Sequence, residues 1–124
     1  MITGIGVDIV QVKRMERWIE NTQLLERYFN SEELLIIQSR GKSAAQSLAA
    51  RFAAKEAFVK ALGTGFLNIS LKDITVCAEQ NGKPFIKLSS AAREAFENSG
   101  AQKIFVSLSH ERENAIAMIV LEGT

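Results

Sequence analysis

SAAQSLAARFAAKEAFVKALGTG, Ser43 to Gly65, is the stretch on which the fold turns. Its alanines and leucines favour a helix, and Gly63-Thr64-Gly65 supplies the stop, so a helix is predicted over 43–62. At about 100° per residue, Leu48, Phe52, Val59 and Leu62 gather on one side. Ala45, Ala49 and Ala53 adjoin them and permit close packing. Glu56 projects between the two groups, inside the arc expected to face a sheet, and Lys60 follows one turn later. A lone carboxylate in such an arc is costly unless it is paired or holds a metal.

Upstream, GIGVDIV (Gly4 to Val10) has the period-two pattern of a strand. Ile5, Val7 and Ile9 form one apolar face, and Gly4, Gly6 and Asp8 the other. The glycines clear space beside the carboxylate for another backbone or a ligand. A short helix follows, with Val12, Met15 and Ile19 on one side. Asn30, three residues before Glu33, has the capping-box pattern and starts another helix. Beyond the long helix, LKDITVCAEQ and KPFIKLS flank the hairpin signal Asn81-Gly82. SSAAREAFENSG reads as a helix stopped by Gly100. KIFVSLS and AIAMIVLEG are strands, the latter apolar on both faces and so placed centrally. The order β-α-α-α-β-β-α-β-β predicts an α+β fold, an antiparallel sheet packed on a long helix, in a single domain over 1–124.

Composition narrows the classes. The 124 residues are 47% hydrophobic and 23% charged, with net charge +1, which argues for a globular chain and for neither nucleic acid nor a membrane surface as partner. One cysteine, Cys77, excludes an internal disulfide framework and reads as packing. No signal-peptide pattern or membrane-span run is present, so the expected location is cytoplasmic. The phosphate-binding GxxxxGK[ST], the third glycine of GxGxxG, GxSxG and HExxH are all absent.

Several residues admit two readings. Asp8 is either a hydrogen-bonded acid at a strand end or half of a two-carboxylate site with Glu56. Two carboxylates are too few for calcium but suit Mg²⁺, which keeps waters and takes substrate phosphates. Glu56 and Lys60 can instead form an i,i+4 pair on a solvated face, although the apolar arc argues against that. His110, the only histidine, is either a turn residue or a ligand-binding one. Lys13, Arg14 and Arg17, with Trp18 on the side of Arg14, make either a solvated face or a docking surface for an acidic helical partner with an exposed tryptophan anchor.

GIGVDIV followed by RFAAKEAFVKALGTG resembles the holo-acyl-carrier-protein synthase family of phosphopantetheinyl transferases. NGKP (Asn81 to Pro84) and SLSH (Ser107 to His110) match it in order and spacing, so the resemblance spans essentially the whole chain. It implies transfer of 4′-phosphopantetheine from coenzyme A to a serine of an apo-acyl carrier protein, leaving adenosine 3′,5′-bisphosphate, in support of fatty acid biosynthesis. It implies Asp8 and Glu56 as Mg²⁺ ligands and Lys60 beside the scissile phosphate. Arg51, Gly63, Thr64, Gly65, Lys83, Pro84 and His110 match positions around coenzyme A. Lys13, Arg14, Arg17 and Trp18 fall on the helix that meets the carrier protein. Long, two-halved members carry a second acid two residues after the aspartate; here that position is Val10, as in the short type, which implies a homotrimer with clefts between subunits. A small Mg²⁺-dependent hydrolase of pyrophosphate-linked nucleotides and a non-catalytic binding module are the rival readings.

Overall fold

A computed structural model describes residues 1–64 and 69–124. The chain runs β1 (Ile2–Gln11), α1 (Val12–Ile19), α2 (Thr22–Tyr28), α3 (Ser31–Gln38), α4 (Ala44–Leu62), β2 (Ile74–Ala78), β3 (Pro84–Leu88), α5 (Ser90–Asn98), β4 (Ala101–His110) and β5 (Asn114–Gly123). Short 3-10 turns at Gly41–Ser43 and Leu71–Asp73 precede α4 and β2. The α+β class is as expected, with two differences in detail. The strands divide into a three-stranded antiparallel sheet, β1-β5-β4, and a separate β2-β3 hairpin. A further helix, α2, lies between the first two expected; it is too short for a clear periodic stripe, but Asn21 caps it by accepting from Leu24 N.

α4 is the centre of the molecule. It packs on β1, β5 and β4 from one side and receives α1 and α3 elsewhere. From Leu48 to Val59 every residue but Glu56 is buried, so the helix presents no polar face along this run. Gly63, at φ 76°, closes it by donating its N–H to Val59 and Lys60 carbonyls. The glycines of β1 explain how strand and helix meet so closely. A Cβ on Gly4 would stand 2.1 Å from the Ala61 carbonyl oxygen, and one on Gly6 2.0 Å from that of Ala57. Backbone therefore lies on backbone, which only glycine permits.

β5 is the central strand, as its two-sided apolarity predicts. Its register sets Gly6, Ile119 and Val106 in one row of the helix-facing side, and Asp8, Ala117 and Leu108 in the next. The opposite side carries Ile5, Val7 and Ile9 beside Met118 and Ile116, with Phe105 on β4. The apolar half of GIGVDIV is thus not the half that packs on the helix: these six side chains are between 40% and 61% exposed.

Candidate active site

Three of the predicted residues converge where β1 crosses the last turns of α4. Lys60 Nζ donates to Asp8 Oδ1 at 2.9 Å and to the Val7 carbonyl at 3.1 Å. Its ion-pair partner is therefore Asp8, not Glu56 one turn back on its own helix. The Asp8 side chain is 18% exposed and that of Lys60 55%. Glu56 is half-buried beside them, and burial and then the Asp8 charge push its carboxyl above the ordinary range, with Lys60 and Arg14 opposing. Two neighbouring acids offering oxygen donors only fit a hard divalent cation; among the described residues no third acid, histidine or cysteine completes a fuller cage. The donor set suits Mg²⁺ with its remaining positions filled by water and substrate.

A second group assembles elsewhere. Arg51, Pro84 and His110 line a cleft of about 520 Å³ between the start of α4, the β2-β3 hairpin and β4. Asp8, Glu56 and Lys60 do not line it. Arg51 and Glu56 point about 140° apart around the helix, which is the geometric reason. Arg51 is 7% exposed; its Nη1 donates to Ser47 Oγ at 2.8 Å, while its buried Nε has no partner among the described residues. Burial pulls this guanidinium down, with Glu33 opposing. A desolvated, incompletely paired cation on a cleft wall suits an anionic ligand. Lys83 is exposed in the hairpin turn, its N–H donating to Asn81 Oδ1. Gly63 and exposed Thr64 sit at the end of α4, and Gly65 lies outside the described residues. Cys77 is buried as expected, yet it also lines the cleft, and burial pushes its thiol up.

On α1, Lys13, Arg14 and Arg17 are exposed, but Trp18 is not the exposed anchor that the sequence suggests. It is half-buried, stacked on Tyr28 with ring centroids 5.5 Å apart and edge-on to Phe52 at 5.1 Å. The helix α2, unforeseen, supplies Tyr28 and so covers it. The Arg14 guanidinium lies over both the Trp18 and Phe52 rings, at 5.6 and 5.3 Å. Arg14, Arg27 and Glu56 line a cavity of about 490 Å³ with these aromatic rings. Arg14 therefore links the basic helix to the carboxylate cluster.

Sequence reasoning missed Arg40 and Ser47 on the wall of the first cleft, and Arg27 on that of the second. Ser47, four residues before Arg51, was visible as an i,i−4 neighbour; Arg40 and Arg27 carry no local signal. Lys55 and Glu33 were missed too. They form a fully buried ion pair, Nζ to Oε1 at 2.6 Å.

Comparison with known proteins identifies the family and the fold. Residues 4–119 match the 4′-phosphopantetheinyl transferase superfamily. A holo-[acyl-carrier-protein] synthase from Treponema denticola is 50% identical over 123 residues, spanning 99% of this chain and 100% of that protein. The crystal structure of the holo-[acyl-carrier-protein] synthase from Neisseria meningitidis superposes with TM-score 0.87 at 38% identity, over 98% of this chain and 99% of that one. The holo-(acyl-carrier-protein) synthase from Bacillus anthracis in complex with CoA (3′,5′-ADP) gives TM-score 0.83 at 34% identity, covering 100% and 99%. With near full-length likeness in sequence and in fold, the chain belongs to the holo-[acyl-carrier-protein] synthase family of 4′-phosphopantetheinyl transferases.

Proposed function

We propose that this chain, as a single domain over 1–124, transfers 4′-phosphopantetheine from coenzyme A to a serine of apo-acyl carrier protein in a Mg²⁺-dependent reaction. The products are holo-acyl carrier protein and adenosine 3′,5′-bisphosphate, and the setting is fatty acid biosynthesis in the cytoplasm. The observation that carries this reading is the convergence of Asp8, Glu56 and Lys60 in a chain that matches the family over nearly all its length. Among the described residues no helix is long and apolar enough to cross a membrane.

The serine oxygen attacks the β-phosphorus of the pyrophosphate, and the bond from that phosphorus to the bridging oxygen breaks. Asp8 and Glu56 hold Mg²⁺, which when bound supplies charge neutralisation on the phosphates. Lys60, already ion-paired and over half exposed, exchanges its Asp8 contact for a phosphate oxygen and stabilises charge on the leaving group. The serine proton passes to Glu56 or to water at the cluster. His110, with Arg51, receives the adenosine bisphosphate end, and Lys83, Pro84, Gly63 and Thr64 line the coenzyme A cleft. Lys13, Arg14 and Arg17 meet the acidic carrier protein, Arg14 braced by the Trp18 ring beneath it.

Two observations favour the homotrimer. The carboxylate cluster and the Arg51–His110 cleft are separate in one chain, so a whole site calls for one half from each of two neighbours. The uncovered sheet face gathers Ile5, Val7, Ile9, Phe105, Ile116 and Met118, all exposed, and clustered apolar exposure of this kind marks an interaction surface. Light scattering should give three times the chain mass; a monomer that is fully active refutes the shared site.

Intact-mass spectrometry tests the activity. Apo-acyl carrier protein incubated with this protein, coenzyme A and Mg²⁺ should gain one phosphopantetheine unit, and EDTA should prevent the gain. Consumption of coenzyme A without any gain in carrier mass points to the hydrolase instead. Binding without turnover points to the binding module.

A further inference from the structure

Neither Lys55 nor Glu33 touches the carboxylate cluster or lines either cavity, yet both are wholly buried. Lys55 Nζ donates to Glu33 Oε1 at 2.6 Å and to the carbonyls of Leu71 at 2.8 Å and Ile74 at 2.6 Å, which fills its three N–H positions. Glu33 Oε2 accepts the Val76 N–H at 3.2 Å. Asn30, joined to Glu33 through the capping box, donates from its side chain to Thr75 Oγ1 at 2.7 Å. Leu71, Ile74, Thr75 and Val76 are therefore all tied to one buried charge pair.

That stretch belongs to both halves of the site. Leu71 lines the cavity that contains Glu56, and Val76 lines the cleft that contains Arg51 and His110. We propose that the Lys55–Glu33 pair is a positioning device for coenzyme A, setting the shared wall from Leu71 to Val76 against the helix that carries Arg51 and Glu56. The inference rests on the coenzyme A reading above. Stability alone is a poor reason for such a pair, since well-packed hydrophobic residues often serve as well or better. Hydrophobic residues cannot aim two carbonyls and an amide, because only hydrogen bonds are directional.

The test is the double variant Glu33→Leu/Lys55→Met, which removes both charges together. Its thermal unfolding should stay cooperative. Coenzyme A binding by titration calorimetry should weaken about tenfold, the scale on which residues that orient a site act. In steady state, KM for coenzyme A should rise while KM for the carrier protein holds. A merely structural role would lower the active fraction and leave both KM values alone. Unchanged coenzyme A affinity in the folded variant overturns the positioning role. Absence of coenzyme A binding by the wild type overturns the site reading itself, and the two failures are thereby distinct. If the double variant melts below assay temperature, Glu33→Gln, which keeps the volume but has one acceptor oxygen where Glu33 uses two, should show a smaller loss in the same direction; unchanged affinity there overturns the role equally.

Discussion

Lys55 and Lys60 stand five residues apart on one helix, and each meets a carboxylate, yet their situations are opposed. The Lys55–Glu33 pair is 0% exposed on both sides, whereas Lys60 is 55% and Asp8 18% exposed. A buried ammonium loses its water and must recover every hydrogen bond from protein, and Lys55 does so with Glu33 and two carbonyls. Such a charge is committed. Lys60 keeps much of its solvent, and a pair of that kind contributes only about 0–1 kcal/mol, so a phosphate can replace Asp8 at little cost. The same residue type on the same helix is locked into an internal pair in one place and available for a ligand in another, and burial makes the difference.

Removing one partner should break the comparison at its strongest point. Lys55→Ala leaves Glu33 buried without a counter-charge and should destabilise the protein by about 3–5 kcal/mol in denaturant unfolding. A loss below about 1 kcal/mol would show that the pair is as replaceable as an exposed one.

Lys60→Ala should do the reverse. Unfolding free energy should move by less than about 1 kcal/mol, while the transfer rate falls about a hundredfold, the order lost with one charge-stabilising group. Comparable losses of stability in the two variants would erase the distinction.

Arg14 sharpens it further, being exposed yet braced on aromatic rings and felt by Glu56. Arg14→Glu should raise KM for the carrier protein about tenfold, near 1.4 kcal/mol, with little change for coenzyme A. Equal shifts for both substrates would remove Arg14 from the docking surface.

The smallest effect concerns Glu56, whose folded carboxyl lies above its ordinary value of 4.5. The folded state therefore binds protons more readily than the unfolded chain there, and stability falls as pH rises from that value towards the folded one. Glu56→Gln should raise the Tm of the metal-free protein at about pH 7, and the gain should vanish below about pH 4. A gain independent of pH would assign the effect to packing instead.

How far these features were legible in the sequence depended on their range. Local ones were: the capping box at Asn30, the hairpin at Asn81-Gly82, the stop at Gly63 and the central strand AIAMIVL all lie where expected. The glycines beside Asp8 correctly announced a close approach, and what approaches is the backbone of Ala57 and Ala61. Trp18 was misread because its cover comes from α2, a helix of seven residues with too few turns to show an apolar stripe.

Periodicity and capping, being properties of neighbours in the chain, determined from sequence alone the α+β class, the long helix and the trio Asp8, Glu56 and Lys60 as candidates. Tertiary structure alone decided which partner each charge takes. It paired Lys60 with Asp8 across 52 positions and Lys55 with Glu33 across 22, and it turned Ile5, Val7 and Ile9 away from the helix. The physical reason is that a carboxylate reads the same in a sequence whether water or protein surrounds it. Its energy, and so its role, is set by groups brought near only when the chain folds.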